Sequence, residues 1–114
     1  MMQVNERIWC GKFPDDIQEL RDKGVKFVFA LDWKAGLVTG DDIERIVRHI
    51  PNPYRYNAPP DWSACDMNEM RETARMIVSK SHEAPVFFHC WKGKDRTGRM
   101  RSMVEAFLDE AVLA

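Results

Sequence analysis

The chain has no CxxC or HxxxH pair, no apolar run near membrane-spanning length, and almost no net charge. Each absence closes off a class of function. Three cysteines, Cys10, Cys65 and Cys90, form an odd and widely spaced set. A secreted disulfide framework would more often show an even number, and the missing ligand pairs give zinc little support. Free thiols in a reducing cytosol are expected, with no metal and no cofactor. A membrane span needs about twenty apolar residues in a row, and no stretch comes close. Met1 to Cys10 include Glu6 and Arg7, so no leader is expected there either. With 17 basic residues against 18 acidic ones, the whole-molecule field draws neither nucleic acid nor an anionic membrane. Any preference for anions must come from a local cluster.

What is present suits one soluble domain. The 114 residues are 45% apolar and 31% charged, enough for a single core. Ile8 and Trp9, closed by Gly11, suggest a short strand. Pro14-Asp15-Asp16 reads as a helix start with acids at the positive end of the helix dipole, and Gly24 as its end. Val25 to Leu31 is nearly all apolar, as a parallel strand buried on both faces should be. Asp32 to Gly40 reads as a loop. Ile43, Ile46, Val47 and Ile50 recur at helical spacing and predict a second helix, stopped by Pro51 and Pro53. Tyr54 to Asn57 suggests a strand, and Ala58 to Ser63 a loop stiffened by Pro59 and Pro60. Met67, Met70, Ala74, Ile77 and Val78 predict a helix capped by Ser63 or Asp66. Val86-Phe87-Phe88 predicts a second buried strand. Thr97 should open the last helix, whose inner face carries Met100, Met103, Val104, Phe107, Leu108 and Ala111. Strands alternating with helices predict one α/β domain over residues 1–114, with a mostly parallel sheet of about four strands.

The chemistry is concentrated in His89-Cys90-Trp91-Lys92-Gly93-Lys94-Asp95-Arg96-Thr97-Gly98. Ligands of open α/β sheets bind beyond the carboxyl ends of the strands, where this loop falls. Its backbone N–H groups and the following helix N-terminus can cradle an anion, and Gly93 permits a close approach. A cysteine in so electropositive a loop is expected to act as its thiolate. A thiolate can attack phosphorus and form a cysteinyl-phosphate. Arg96, six positions on, can hold two phosphate oxygens. The Thr97 hydroxyl can serve the thiolate as it leaves.

His-Cys-x5-Arg-Thr-Gly resembles the active-site loop of the cysteine-based protein tyrosine and dual-specificity phosphatases, matching at His89, Cys90, Gly93, Arg96, Thr97 and Gly98. Arg7-Ile8-Trp9-Cys10-Gly11, Pro14 and Gly24 to Val28 extend the likeness upstream, to compact members of that family. The resemblance implies a tyrosine-phosphatase-like fold and catalysis by Cys90, Arg96 and Thr97. Trp91, Lys92, Gly93, Lys94, Asp95 and Arg96 would line the substrate, with His89 supporting the loop. It also implies a general acid on an upstream loop. Asp61 is favoured for that role, with Asp66 the rival that more often would cap the next helix. Family members usually continue further after the loop; here 18 residues follow Arg96, which leaves room for an oligomer.

Plainer readings stand beside these. Cys90 alone could be a packed thiol, and Lys92 and Lys94 solvated lysines. Yet residues 91–101 hold five basic residues against one acidic, and Lys-Asp-Arg-Thr-Gly resembles bacterial members that accept lipid phosphates. Phosphoinositide or inositol-phosphate hydrolysis, a silent phosphate-binding module and rhodanese-like sulfur transfer are the competing functions. Trp62 and Trp91 are placed to flank the site. Cys65 could shield Cys90 as a disulfide, although a packed thiol is the simpler expectation. The partner expected is a phosphorylated protein or small phosphate ester, with no nucleic acid and no membrane span.

Overall fold

The computed structural model describes residues 1–14, 16–32, 40–54, 57–91 and 95–113, of which 111–113 by backbone alone. Five strands form one mixed sheet in the order β1-β2-β5-β3-β4. They are β1 (Met2–Asn5), β2 (Ile8–Gly11), β3 (Phe27–Ala30), β4 (Glu44–Val47) and β5 (Val86–His89). β2, β5, β3 and β4 run parallel; β1 is an antiparallel edge strand hairpinned to β2. Three helices flank them: α1 (Ile17–Asp22), α2 (Met67–Ser81) and α3 (Asp95–Leu113). The α/β architecture with a mostly parallel sheet is as the sequence implies.

β5 sits at the centre and all four of its residues are buried. Side chains alternate across a strand, so Val86 and Phe88 join the large core beneath α2 and α3, while Phe87 joins Leu20, Val25, Val28 and Ile43 on the α1 side. The apolar Val25–Leu31 run is explained the same way: Phe29 and Leu31 face one core, Val28 the other. Gly24 ends α1 at φ +75°, a conformation that costs little only without a Cβ. Asp16 caps α1 by accepting from the Gln18 amide, and Asp66 caps α2 by accepting from Asn68 and Glu69.

Three sequence expectations need correction. The stretch Ile43 to Ile50 is not a helix: residues 44–47 pair in parallel with Phe27–Ala30 as β4. Ile43 and Ile46 serve opposite cores, as alternation requires. An eight-residue apolar pattern fits either period, and the β-branched Ile-Val content and the sheet decide it. Among the described residues the sheet has five strands, in keeping with the about four expected; the added one, Met2–Asn5, carries only Val4 as a β-branched signal and pairs through its hairpin. The last helix opens at Asp95, two residues before Thr97. In Tyr54 to Asn57 neither described end is in a strand; Asn57 adopts φ +54°, in the left-handed region. Arg55 and Tyr56 lie outside the described residues, as do Asp15 and Trp33.

Candidate active site

The parallel strands β5 and β3 end side by side, with Ala30 opposite His89. Cys90 follows one strand and Asp32 lies just past the other. Together with Asn52, Tyr54, Trp91, Asp95 and Arg96 they line a cavity of about 550 Å³. Cys90, Trp91, Asp95 and Arg96 of the sequence motif are thus brought to the carboxyl end of the sheet. Cys90 (2% exposed) and Arg96 (8%) lie deep, whereas Trp91 (54%) and Tyr54 (45%) are exposed.

Thr97 holds Cys90 from two directions. The Cys90 amide donates to Thr97 Oγ1 at 2.9 Å. The hydroxyl in turn has one proton, with Cys90 Sγ at 3.0 Å and the Gly11 carbonyl at 3.4 Å as acceptors. The sulfur is the nearer, so the proton is set to stabilise negative charge there.

Arg96 is equally fixed. Nη1 donates to the Ile50 carbonyl at 3.1 Å and Nη2 to Asp32 Oδ2 at 3.0 Å. A guanidinium has five N–H groups, so at most three remain for an oxyanion. Asp32 is itself buried.

His89 supports the loop from below. It is fully buried, with its ring 5.7 Å from Phe87 in a stack and 5.6 Å from Phe13 edge-on. Its Nδ1 lies 3.1 Å from the Cys90 carbonyl. A carbonyl only accepts, so Nδ1 carries the proton and Nε2 is a bare acceptor, without a hydrogen-bond partner among the described residues. Burial holds this imidazole below the usual range, the Cys90 carbonyl and Asp32 opposing and Arg45 assisting the shift. Phe13 steadies the next residue too: its amide donates to the Trp91 carbonyl at 3.2 Å and its ring lies 5.5 Å from the indole.

The other expected residues are distributed differently. Asp95 lines the cavity from the first turn of α3. Lys92, Gly93 and Lys94 lie outside the described residues. Asp61 is not among the described lining; its carboxylate accepts from the Ser63 amide and caps the short 3₁₀ turn Trp62–Ala64. Asp66, the rival, is the α2 cap. Trp62 does not line the cavity. It packs on the α2–α3 core beneath Arg99, whose guanidinium carbon is 5.2 Å from the ring centre. Cys65 is a packed thiol that donates to the Pro51 carbonyl at 3.5 Å, and burial pushes its pKa up. Cys10, also buried, is raised for the same reason.

Asp32, Tyr54, Asn52 and Phe13 were not singled out as site residues from the sequence. One signal for Asp32 was present: it directly follows the Val25–Leu31 run, so it had to sit at a strand's carboxyl end. Among the described residues no group of His, Cys, Asp and Glu could hold a metal ion, and no helix is long and apolar enough to cross a membrane.

Comparison with known families matches a tyrosine phosphatase family over residues 38–110, well over half of the chain. The match spans β4, α2, β5, the motif and most of α3. The chain belongs to the tyrosine phosphatase family, and it is a phosphatase whose substrate carries a phosphate. A search of curated proteins finds no match.

Proposed function

We propose that the chain hydrolyses phosphate monoesters through a cysteinyl-phosphate on Cys90, as a protein tyrosine or dual-specificity phosphatase. The observation that carries this reading is the shared cavity of Cys90 and Arg96, with the Thr97 hydroxyl 3.0 Å from the sulfur. The thiolate attacks phosphorus and the ester oxygen leaves with a proton from a carboxylic acid, Asp61 or Asp95, which recovers a proton from the attacking water in the second step. Water then attacks the intermediate and releases phosphate and thiolate. Arg96 holds the equatorial oxygens, and Thr97 eases the return of charge to sulfur. The exposed Trp91 and Tyr54 beside a deep base favour an ester whose oxygen is borne on a flat ring, as in phosphotyrosine.

Hydrolysis of p-nitrophenyl phosphate without added metal is the test, with Cys90→Ser as the control. The reading requires turnover by the wild-type chain and its loss in the variant; a fully active Cys90→Ser chain would defeat it. Phosphate binding with no turnover from pH 5 to 8 would favour the silent module instead.

The basic residues of the loop favour a second reading, inositol phosphates or phosphoinositides as substrates. Replacing Lys92 and Lys94 by Ala should then impair those substrates more than p-nitrophenyl phosphate. Equal losses on both would remove this reading.

A further inference from the structure

We infer that Asp32 is the positioning residue for Arg96, and that it exchanges ground-state affinity for phosphate against the correct placement of the guanidinium. This rests on reading Arg96 as the group that holds phosphate oxygens.

The argument begins with burial. Arg96 and Asp32 expose only 10% and 11% of their side chains, at 3.0 Å from one another. An arginine as buried as this needs a counter-charge when no anion is bound, and Asp32 supplies it from inside the cavity. The placement is not fortuitous. β3 lies beside β5 in parallel register, and the Leu31 amide donates to the His89 carbonyl at 2.8 Å. The backbone pairing therefore fixes Asp32 one residue past the point where Cys90 leaves the sheet.

Two acceptors hold the guanidinium, the Asp32 carboxylate and the Ile50 carbonyl. They come from separate stretches of chain, so the planar group is pinned at both terminal nitrogens. The remaining N–H groups are then pre-set for an oxyanion, which is where an electrostatic contribution to rate arises. The cost follows from the same geometry. Asp32 lines the cavity that the phosphate must enter, and two anions sharing one guanidinium at close range repel.

Two changes of opposite sign should follow in Asp32→Asn, which keeps the shape and one acceptor but no charge. The kcat on p-nitrophenyl phosphate should fall by about tenfold or more, since small misplacements are costly in rate. Binding of inorganic phosphate, measured by calorimetry in a Cys90→Ser background, should tighten by about threefold or more as the repulsion is lost. A purely structural residue would weaken both together. Weakened or unchanged phosphate binding, or an unchanged kcat, would overturn the inference. So would a loss of kcat/KM that grows with the basicity of the leaving group, from p-nitrophenyl to phenyl phosphate, because that pattern marks Asp32 as the general acid. If Asp32→Asn fails to fold by near-ultraviolet circular dichroism, Asp32→Ser is measured in its place. If neither folds, the pair is structural and the inference falls. The binding arm needs no turnover, so a wild-type chain inactive on every ester would defeat the proposed function and leave Asp32 to be decided by calorimetry.

Discussion

At the scale of single residues, Thr97 joins the backbone geometry of the loop to its chemistry. Its oxygen accepts from the Cys90 amide, and the sulfur is the nearer of the two acceptors within reach of its proton. Thr97→Val keeps the shape and removes both interactions. The unmade bond to a buried amide should cost about 1–3 kcal/mol of stability. The second step, in which sulfur leaves, should slow more than the first. Rapid-mixing kinetics should then show a burst of p-nitrophenol that is faint or absent in the wild-type chain. Asp61 and Asp95 present a different question. Asp95 lines the cavity, while Asp61 accepts from the Ser63 amide and is not among the described lining. Whichever of Asp61→Asn and Asp95→Asn removes the basic limb of the kcat/KM profile against pH is the general acid. Motif residues were legible from the sequence because their spacing carries the chemistry. Asp32 and Tyr54 were not, because they come from loops whose meeting with Cys90 depends on sheet order.

Secondary-structure elements were legible where one period dominated. Val25–Leu31 is apolar apart from Lys26, Val86–Phe88 is apolar throughout, and the α2 stripe from Met67 to Val78 repeats over about three turns. Ile43–Ile50 was misread because the same four residues satisfy a helical period and a strand between two cores. The β-branched content leans toward a strand, and pairing with β3 decides it. α3 offers a test at this scale. Gly98 lies within the helix, and a Cβ built on it meets nothing within 4 Å. Its flexibility is therefore not needed for packing. Gly98→Ala should raise thermal stability by up to about 1 kcal/mol, the usual gain of Ala over Gly in a helix interior. Chemical denaturation measures it directly. A loss of stability would mean that the first turns of α3 depart from regular helix near the loop.

For the whole molecule, stability should depend on pH in two separate windows. His89 is buried between Phe87 and Phe13 at the centre of the sheet, and its Nε2 faces no partner among the described residues. Protonation would put a charge there, so the folded pKa lies below the unfolded value of 6.5. Between these two values the unfolded chain binds the extra proton and the folded chain does not. Stability from this source is complete above about pH 6.5. It declines as pH falls below that and levels off once the folded pKa is passed. Asp42 acts lower on the scale. Its carboxylate accepts from Arg21 and is held below 3.8 by that hydrogen bond. Its contribution is present above 3.8 and is lost as pH falls through the lowered value. The two can be told apart by salt. The Arg21–Asp42 pair is on the surface and is screened, whereas His89 is fully buried and is not. Thermal melts from pH 7.5 to 5 should show a fall in Tm that 0.5 M salt leaves in place. His89→Asn can still offer an N–H to the Cys90 carbonyl but has no group that titrates. It should flatten that fall, and a variant that keeps the wild-type slope would place the titrating group elsewhere in the chain.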